Sequence, residues 1–374
     1  MTLNKRYLLN GTAAKCLVAL GLLLASCAPT GSIDADATSG DSADLKAAVL
    51  AHLDRQQRQS CNFRSLALSA PSPIRTVDLP SQRRAIYKNA ESYAAYIHGA
   101  ATRYFFGGET SSADRAVSLM VQWAEARAHE NVIPETNSVS TNRYPTYMIL
   151  GSSLNALFLL DRSEALTPER EKVIWSWLDQ LARDSFIGRP LPRGSAGFQD
   201  REQRVNNHNA RRAVITAYLA AHKNDSRLLA QSQRMIARGF AEVDKGVPFD
   251  ANRGDWALNY ANLAILGFSE HTAFTRALGR AENLSQKVSD INAMAEFLFN
   301  ETIKQDKVHT YARQNVGRPS SSYGGVQEIW WTERYTGGLT HYAWIDADIL
   351  SFQPPLSLSA PRYSEVGGYL GCWF

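Results

Sequence analysis

The sequence predicts an all-α protein, and two observations support this. Apolar residues recur three and four positions apart in most segments after residue 44, which is the periodicity of one buried helix face. Short polar joints separate these segments, and no fixed-period repeat of a named solenoid is found. Successive antiparallel helices of this kind form an α/α toroid or a solenoid. The composition, 44% hydrophobic and 20% charged over 374 residues, excludes a disordered chain.

The N-terminus has the form of an export signal. Three cations precede an apolar stretch, Cys16 to Ala25, which is about half the ~20 residues of a membrane-spanning helix. It runs into Leu-Ala-Ser-Cys at residues 24–27, which resembles the bacterial lipobox, whose cysteine is acylated and becomes the first residue of the mature protein. We therefore expect residues 1–26 to be a lipoprotein signal peptide and Cys27 to carry the lipid. Ordinary secretion with a spare thiol is the alternative.

Removal of this signal changes the charge of the chain. It takes away three cations and no acid, so the formal charge falls from +4 to +1. A nearly neutral chain without a recognised binding module predicts no nucleic-acid partner. We expect a monomer in the periplasm whose only attachment to a membrane, the outer one, is the lipid. Any affinity for an anion must come from a local cluster.

The remaining chain divides into a tether and one domain. Residues 27–43 are small and polar and predict a flexible tether, and residues 44–374 form the helical domain. Cys61 and Cys372 either form a disulfide in the oxidising periplasm or remain two buried thiols. No cysteine or histidine spacing has the form of a structural zinc site, so we expect neither a metal nor a cofactor.

Each predicted helix follows from the apolar spacing. Thr167-Pro168, for example, combines an N-cap with a proline at the first helical position. Residues 317–344 are rich in Gly, Tyr and Trp, and predict an aromatic loop region that either lines a sugar cleft or caps the domain. The predicted helices are Leu45–Leu53, Ala85–Phe106, Ala113–Ala128, Met148–Leu160, Val173–Leu181, Ala213–Ala221, Leu228–Val243, Trp256–Phe268 and Ile291–Leu298.

The first motif that could carry chemistry is Asn206-Asn207-His208, which precedes the apolar helix starting at Ala213. Asparagines at a helix start supply an N-cap and amide donors, and the helix N-terminus adds partial positive charge. A carboxylate would be held well there, and His208 would be kept neutral as a base or donor because the same field lowers its pKa. The alternative is a capping sequence with a structural histidine.

The second motif joins Arg253 to Tyr260, seven residues later. On one helix they would share a face about 10 Å apart along the axis. If Asn252 or Asp255 is the N-cap, Arg253 instead lies in the preceding turn. Both motifs suit β-elimination from a uronic acid polymer, because removing the C5 proton requires donors that neutralise the neighbouring carboxylate. A tyrosine can then protonate the C4 leaving oxygen and, with a lowered pKa, accept the C5 proton.

At these residues the sequence resembles the alginate lyases of the all-helical, toroidal polysaccharide lyases typified by periplasmic mannuronate lyases. The family's Asn-Asn-His corresponds to residues 206–208, and its Arg…Ala-Leu-x-Tyr-x-Asn to Arg253 and residues 257–262. Weaker matches are Trp123-Ala124 and Tyr342-Ala343-Trp344. The resemblance spans roughly residues 85 to 350. It implies an α/α toroid, an incomplete α/α barrel, with a lid loop and an anionic polysaccharide as partner.

The resemblance also implies roles for individual residues. Asn207 would bind the carboxylate, His208 would act as base or neutraliser, and Arg253 would contact the carboxylate or the phenol. Tyr260 would be the acid and also the base, as suits mannuronate, where the departing groups are syn. Ala261 departs from the histidine that mannuronate enzymes often have there. The predicted substrate contacts also include Asn206 and Asn262, with Arg75 as the cation of a lid formed by residues 61–83. Independently of the resemblance, Arg143, Tyr144 and Tyr147 head another apolar helix, and they either line a sugar cleft or anchor the N-terminus of that helix.

Two other classes of protein compete with a lyase. A glycoside hydrolase on the same fold would need two facing carboxylates, and none of the candidates has a distinctive setting. A catalytically inactive, lipid-anchored polysaccharide-binding protein would keep the cleft without turnover. The acidic candidates for the hydrolase are Asp200, Glu202, Asp255 and Glu328.

Overall fold

The protein is nearly all helical. The computed structural model describes residues 44–57, 69–74, 83–130, 139–185, 187–188, 207–241 and 257–304, and these ranges contain no strand. They belong to one compact unit that starts at Ser42. The predicted signal peptide, tether, cysteine pair and aromatic loop region lie outside these ranges, so those interpretations stay predictions.

The helices occur where the apolar spacing predicts them, but several extend further. α4 starts nine residues before the predicted Met148 and contains Pro145. α6 starts at Asn207, six residues before the predicted Ala213. The apolar spacing therefore marks only the later part of both helices, because polar residues fill their first turns. Asn207 was correctly predicted to lie at a helix start. The helices are α1 Leu45–Gln57, α2 Arg83–Gly107, α3 Thr110–Glu125, α4 Val139–Leu160, α5 Pro168–Asp184, α6 Asn207–Lys223, α7 Ser226–Ala241, α8 Ala257–Ala277 and α9 Leu284–Lys304.

Alternate helices form two layers. α2 packs on α4, α4 on α6 and α6 on α8, and we call these four helices the inner layer. α3 packs between α2 and α5, and α7 packs on α6. In α6 every residue from Asn209 to Ala221 is buried, whereas α3, α5 and α7 each bury one face. A helix that is buried all round belongs to a core surrounded by other helices. This layering is that of an α/α toroid.

The helices of the inner layer are parallel. Ala210 on α6 lies beside Gly267 on α8, and further along Tyr218 on α6 contacts Phe274 on α8. The same order holds between α4 and α6 and between α2 and α4. A Cβ at Gly267 would lie 2.8 Å from the Cβ of Ala210, so glycine lets α6 and α8 approach closely. The N-termini of all four inner helices therefore gather at one end of the toroid.

The outer helices follow the local rules that the sequence suggested. The Thr167 hydroxyl accepts a hydrogen bond from the Arg170 amide, and Pro168 is the first residue of α5. Ile174, Trp177 and Leu181 point into the core from one stripe of this helix. Among the helices described, none combines the length and the apolar character needed to cross a bilayer.

Candidate functional site

The first turn of α6 supplies the first two candidate residues. Asn207 is the first residue of α6 and is 2% exposed, and His208 is half-buried. The amide groups of a helix's first turn have no partner within the helix, and the aligned peptide dipoles make this end partly positive. The position of Asn207 and His208 is therefore suited to an anionic group.

Two tyrosines of α4 lie against the His208 imidazole, and a tyrosine of α2 packs on one of them. The ring of Tyr144 lies 5.0 Å from the imidazole centroid at 74°, and that of Tyr147 lies 6.5 Å away at 69°. Tyr87 on α2 stacks on Tyr144 with 6.2 Å between the centroids. Edge-to-face contacts of this kind are favourable and directional, so they hold the imidazole in one orientation. Tyr144, which the sequence placed at the head of an apolar helix, is a closer neighbour of His208 than Tyr147.

The backbone of Tyr260 lies in the first turn of α8, the inner helix next to α6. Because Ala210 is level with Gly267, Tyr260 lies about four residues, or roughly 6 Å, beyond the level of Asn207 along the parallel axes. Asn262 belongs to the same helix, and Arg143 lies within α4. The side chains of these three residues, and all of Asn206, Arg253 and Arg75, lie outside what the structure describes. Their roles stay predictions.

A buried polar network lies beneath this end of α6, and sequence reasoning missed it. Arg211 forms an ion pair with Glu270 on α8, and the Tyr218 hydroxyl donates to the same carboxylate at 2.5 Å. The Asn155 side-chain amide on α4 donates to the Tyr218 hydroxyl at 3.2 Å. Burial raises the pKa of Glu270, whereas Arg211 and Tyr218 act in the opposite direction. Burial and the charge of Arg211 lower the pKa of His98 well below its usual value.

A non-helical segment at residues 69–74, which we call the strap, lies within the predicted lid region. The Trp123 indole N–H donates to the Pro71 carbonyl at 3.1 Å, and the Asn89 side-chain amide donates to the Ser72 carbonyl at 2.9 Å. The strap is therefore fixed to α2 and α3. Trp123, noted in the sequence only as a weak family match, has a structural role here.

His129 completes the attachment of the strap. Its backbone N–H donates to the Ile74 carbonyl at 3.4 Å, and its Nε2 lies 3.2 Å from the Asn89 side-chain oxygen. Its ring stacks on Trp123 with 5.8 Å between centroids and 7° between planes. Burial lowers the pKa of His129 to about 4, so the imidazole is neutral at neutral pH. His129 therefore has a structural role, which is to attach the strap to α2 and α3.

The described residues offer no group of three or more potential metal ligands. The groups that the described part of the site presents are amide, imidazole and phenol groups, together with the partial positive charge of helix N-termini. Such groups bind a carboxylate and move protons.

Solved structures share this architecture. Alginate lyase A1-III from Sphingomonas species A1 superposes with a TM-score of 0.56 at 15% identity, covering 87% of this chain and 93% of that one. A histidine-to-alanine variant of the same enzyme complexed with a tetrasaccharide gives 0.56 at 16% identity, with 86% and 93% covered. A tyrosine-to-phenylalanine variant, also complexed with a tetrasaccharide, gives 0.53 at 16%, with 87% and 93% covered. At these identities the likeness shows the fold. No curated protein matches the chain significantly.

A family model, together with this α/α toroid fold, defines the class of protein: the chain is a polysaccharide lyase. The family can be stated more closely. The chain belongs to the alginate lyase family, whose model matches residues 52–308 and so includes every described helix apart from the first seven residues of α1.

Proposed function

We propose that this lyase cleaves alginate, with polymannuronate as its preferred form, by β-elimination that leaves a C4=C5 unsaturated uronate. One observation carries the proposal: Asn207 and His208 occupy the first turn of α6. This turn lies beside Tyr144 and Tyr147 of α4, and α8, whose first turn contains Tyr260, is the neighbouring inner helix. Family membership and the tetrasaccharide bound to alginate lyase A1-III support it.

The difficult step is removal of the C5 proton. This proton lies beside a carboxylate, and its removal creates a second negative charge on the same group. Donors aimed at that charge lower the barrier because they need not reorganise as it develops. We assign Asn207 and the N-terminal end of α6 to this carboxylate, with Arg253 as the cationic partner. We assign His208 to the same carboxylate, as base or neutraliser, and its ring contacts with Tyr144 and Tyr147 hold the imidazole in place.

The proton transfers are assigned to Tyr260. As phenolate it takes the C5 proton, and as phenol it donates a proton to the C4 leaving oxygen, which breaks the glycosidic bond as the double bond forms. One residue can do both when the two departing groups are on the same side of the sugar ring, as in mannuronate. Asn206, Asn262, Arg143, Tyr147 and Arg75 are assigned to the neighbouring sugar units.

The cellular placement is also proposed. Cys27 carries a lipid after removal of residues 1–26, and the monomeric enzyme faces the periplasm from the outer membrane. The Leu-Ala-Ser-Cys sequence supports this. Replacing Cys27→Ser should move the protein from the membrane fraction to the soluble periplasmic fraction and abolish labelling by a radioactive fatty acid. Membrane retention with unchanged labelling would contradict the assignment.

The function is tested with a panel of polymers. The enzyme is incubated with polymannuronate, polyguluronate and polyglucuronate, and ultraviolet absorbance of the unsaturated product is followed. We expect absorbance with polymannuronate, and its loss by at least a thousandfold in Tyr260→Phe. The control Tyr104→Phe makes the same change near the C-terminal end of α2, away from the N-terminal ends of the inner helices where the candidate site lies. It should keep wild-type activity. New reducing ends without absorbance would indicate a hydrolase, and binding without any cleavage would indicate the inactive binding protein.

A further inference from the structure

The Arg211–Glu270 pair is the most completely buried ion pair in the described part of the chain. Arg211 is 3% exposed and Glu270 is fully buried. Two further polar groups complete the arrangement, the hydroxyl of Tyr218 and, behind it, the side-chain amide of Asn155. We call these four residues the inner polar network.

The inner polar network connects the three helices that carry most of the candidate site. Arg211 lies on α6, four residues after Asn207, so it is one helical turn, or roughly 6 Å, beneath the candidate carboxylate-binding turn. Glu270 lies on α8, the helix that begins with the turn containing Tyr260. Asn155 lies on α4, two turns after Tyr147.

The packing reserves space for the guanidinium. A Cβ at Gly151 on α4 would lie 2.5 Å from the Arg211 Nη2 atom, so any larger residue there would displace the arginine. Gly267 similarly allows the backbone of α8 to approach Ala210 and Arg211 on α6. Gly151 thus leaves room for the Arg211 side chain, and Gly267 allows α6 and α8, which carry Arg211 and Glu270, to pack closely.

A buried ion pair of this kind needs a reason other than stability. Removing two charges from water costs about as much as their attraction returns, and well-packed apolar replacements are often as stable or more so. A paired, directional contact does, however, define one register between helices, which apolar side chains of similar volume do not. Catalysis of the proposed type depends on such precision, because the reacting groups must be held within about 0.5 Å.

We propose that Arg211 and Glu270 are positioning residues for the lyase reaction. They fix the first turn of α6, with Asn207 and His208, against α8 and α4. Tyr218 supports them by holding the second carboxylate oxygen of Glu270. This inference rests on the proposed function, because it concerns the efficiency of that same site.

The test separates positioning from stability with a double variant. Arg211→Met combined with Glu270→Met removes both charges, so neither is left buried alone. We expect its thermal unfolding midpoint to stay within a few degrees of wild type, kcat on polymannuronate to fall at least tenfold, and KM to change less than threefold. If the double variant keeps the wild-type kcat as well as the wild-type stability, the proposal is wrong.

Two further measurements keep the test decisive. If the double variant fails to fold, Tyr218→Phe removes only the hydroxyl, and we expect at least a threefold loss of kcat at unchanged KM. Amide hydrogen exchange at residues 207–212 reports the position of the turn without activity, and should accelerate at least tenfold in either variant while exchange in α5 stays the same. Unchanged exchange at this turn would contradict the proposal.

A matched control and the wild type complete the design. Asp54 and Arg162 form a surface pair at 2.9 Å, and replacing both with methionine should change neither kcat nor exchange in α6. Absence of cleavage of every uronate polymer by the wild-type enzyme would contradict the proposed function. The exchange measurement would still decide whether the inner polar network positions the turn.

Discussion

The inner and outer layers are both helical, but they differ in where their polar residues lie. Inner helices such as α4 and α6 are buried on nearly every side and still contain polar residues, among them Asn155, Asn207 and Arg211. Outer helices such as α5 bury a single apolar stripe and place their charges in water. Polar groups in the inner layer require internal partners, which makes their geometry definite, and this is the property that a catalytic site needs.

Ion pairs show the same contrast. Between the outer helices, Arg170 of α5 lies 3.0 Å from Asp114 of α3, and both residues are partly exposed. Such pairs contribute between zero and about 1 kcal/mol because water screens them. In the inner layer, Glu270 has no contact with solvent. The two layers should therefore respond very differently to the loss of one charge.

The largest expected effect comes from removing one partner of the buried pair. Arg211→Met alone leaves the Glu270 carboxylate buried without its cation, and should lower the free energy of unfolding by about 3–5 kcal/mol. Asp54→Asn on the surface should lower it by less than about 1 kcal/mol. Urea unfolding at pH 7 measures both. If both variants lose the same free energy of unfolding, burial does not make the inner ion pair more sensitive than the surface pair to the loss of one charge.

The second prediction concerns acid. Burial lowers the pKa of His129, beside the strap, to about 4, and that of His271, on α8, to about 3. In the unfolded chain both bind a proton near pH 6.5. The contribution of these two histidines to the free energy of unfolding should therefore be fully present above pH 6.5 and be lost as the pH drops toward 4. In that range the two imidazoles gain protons in the unfolded chain and not in the folded one. Each histidine contributes up to about 1.4 kcal/mol per pH unit.

Single histidine variants show which residue causes the loss of stability in acid. His129→Gln should flatten the decline of unfolding free energy between pH 6.5 and 4 by about 3 kcal/mol in total. His271→Gln should reduce the same decline of unfolding free energy by a similar amount, and its effect should extend below pH 4. Unfolding is followed by urea titration at a series of pH values. A pH profile parallel to that of the wild type would contradict either assignment.

The smallest expected effects distinguish two helical glycines. Gly267→Ala forces a Cβ against Ala210 between α6 and α8, and should cost about 1–3 kcal/mol. At Gly99 on α2 an added Cβ meets nothing within 4 Å, so Gly99→Ala should stabilise the protein by about 0.5–1 kcal/mol. Thermal unfolding measures both signs. Stabilisation by Gly267→Ala would show that α6 and α8 can separate without penalty.

The sequence predicted the outer layer better than the inner one. A helix such as α5 has one apolar stripe and a recognisable cap at Thr167, and these local signals are visible without a fold. The apolar spacing of α6 was detected only from Ala213 onward because Asn207, Arg211 and Arg212 are polar, although the structure buries them. Periodicity detects apolar faces, and has no way to detect polar residues whose partners are far along the chain.

The candidate site shows the same limit. Asn207 and His208 were recognised because the asparagine, histidine and helix-start pattern is local, and Tyr144 was visible at the head of an apolar segment. Glu270 was not recognised, since a single acid in an apolar helix resembles a solvent-exposed position. Its partner Arg211 lies 59 residues away. Only the parallel packing of α6 on α8 brings the two together.

The attachment of the strap has a consequence for the order of folding. The indole of Trp123 binds the carbonyl of Pro71 across 52 residues, and the ring of His129 then packs on that indole. Closing so long a loop has an entropic cost that only formed helices can offset. The strap should therefore settle after α2 and α3 have docked, as one of the later steps of folding. During synthesis, Pro71 would leave the ribosome well before the residues that secure it.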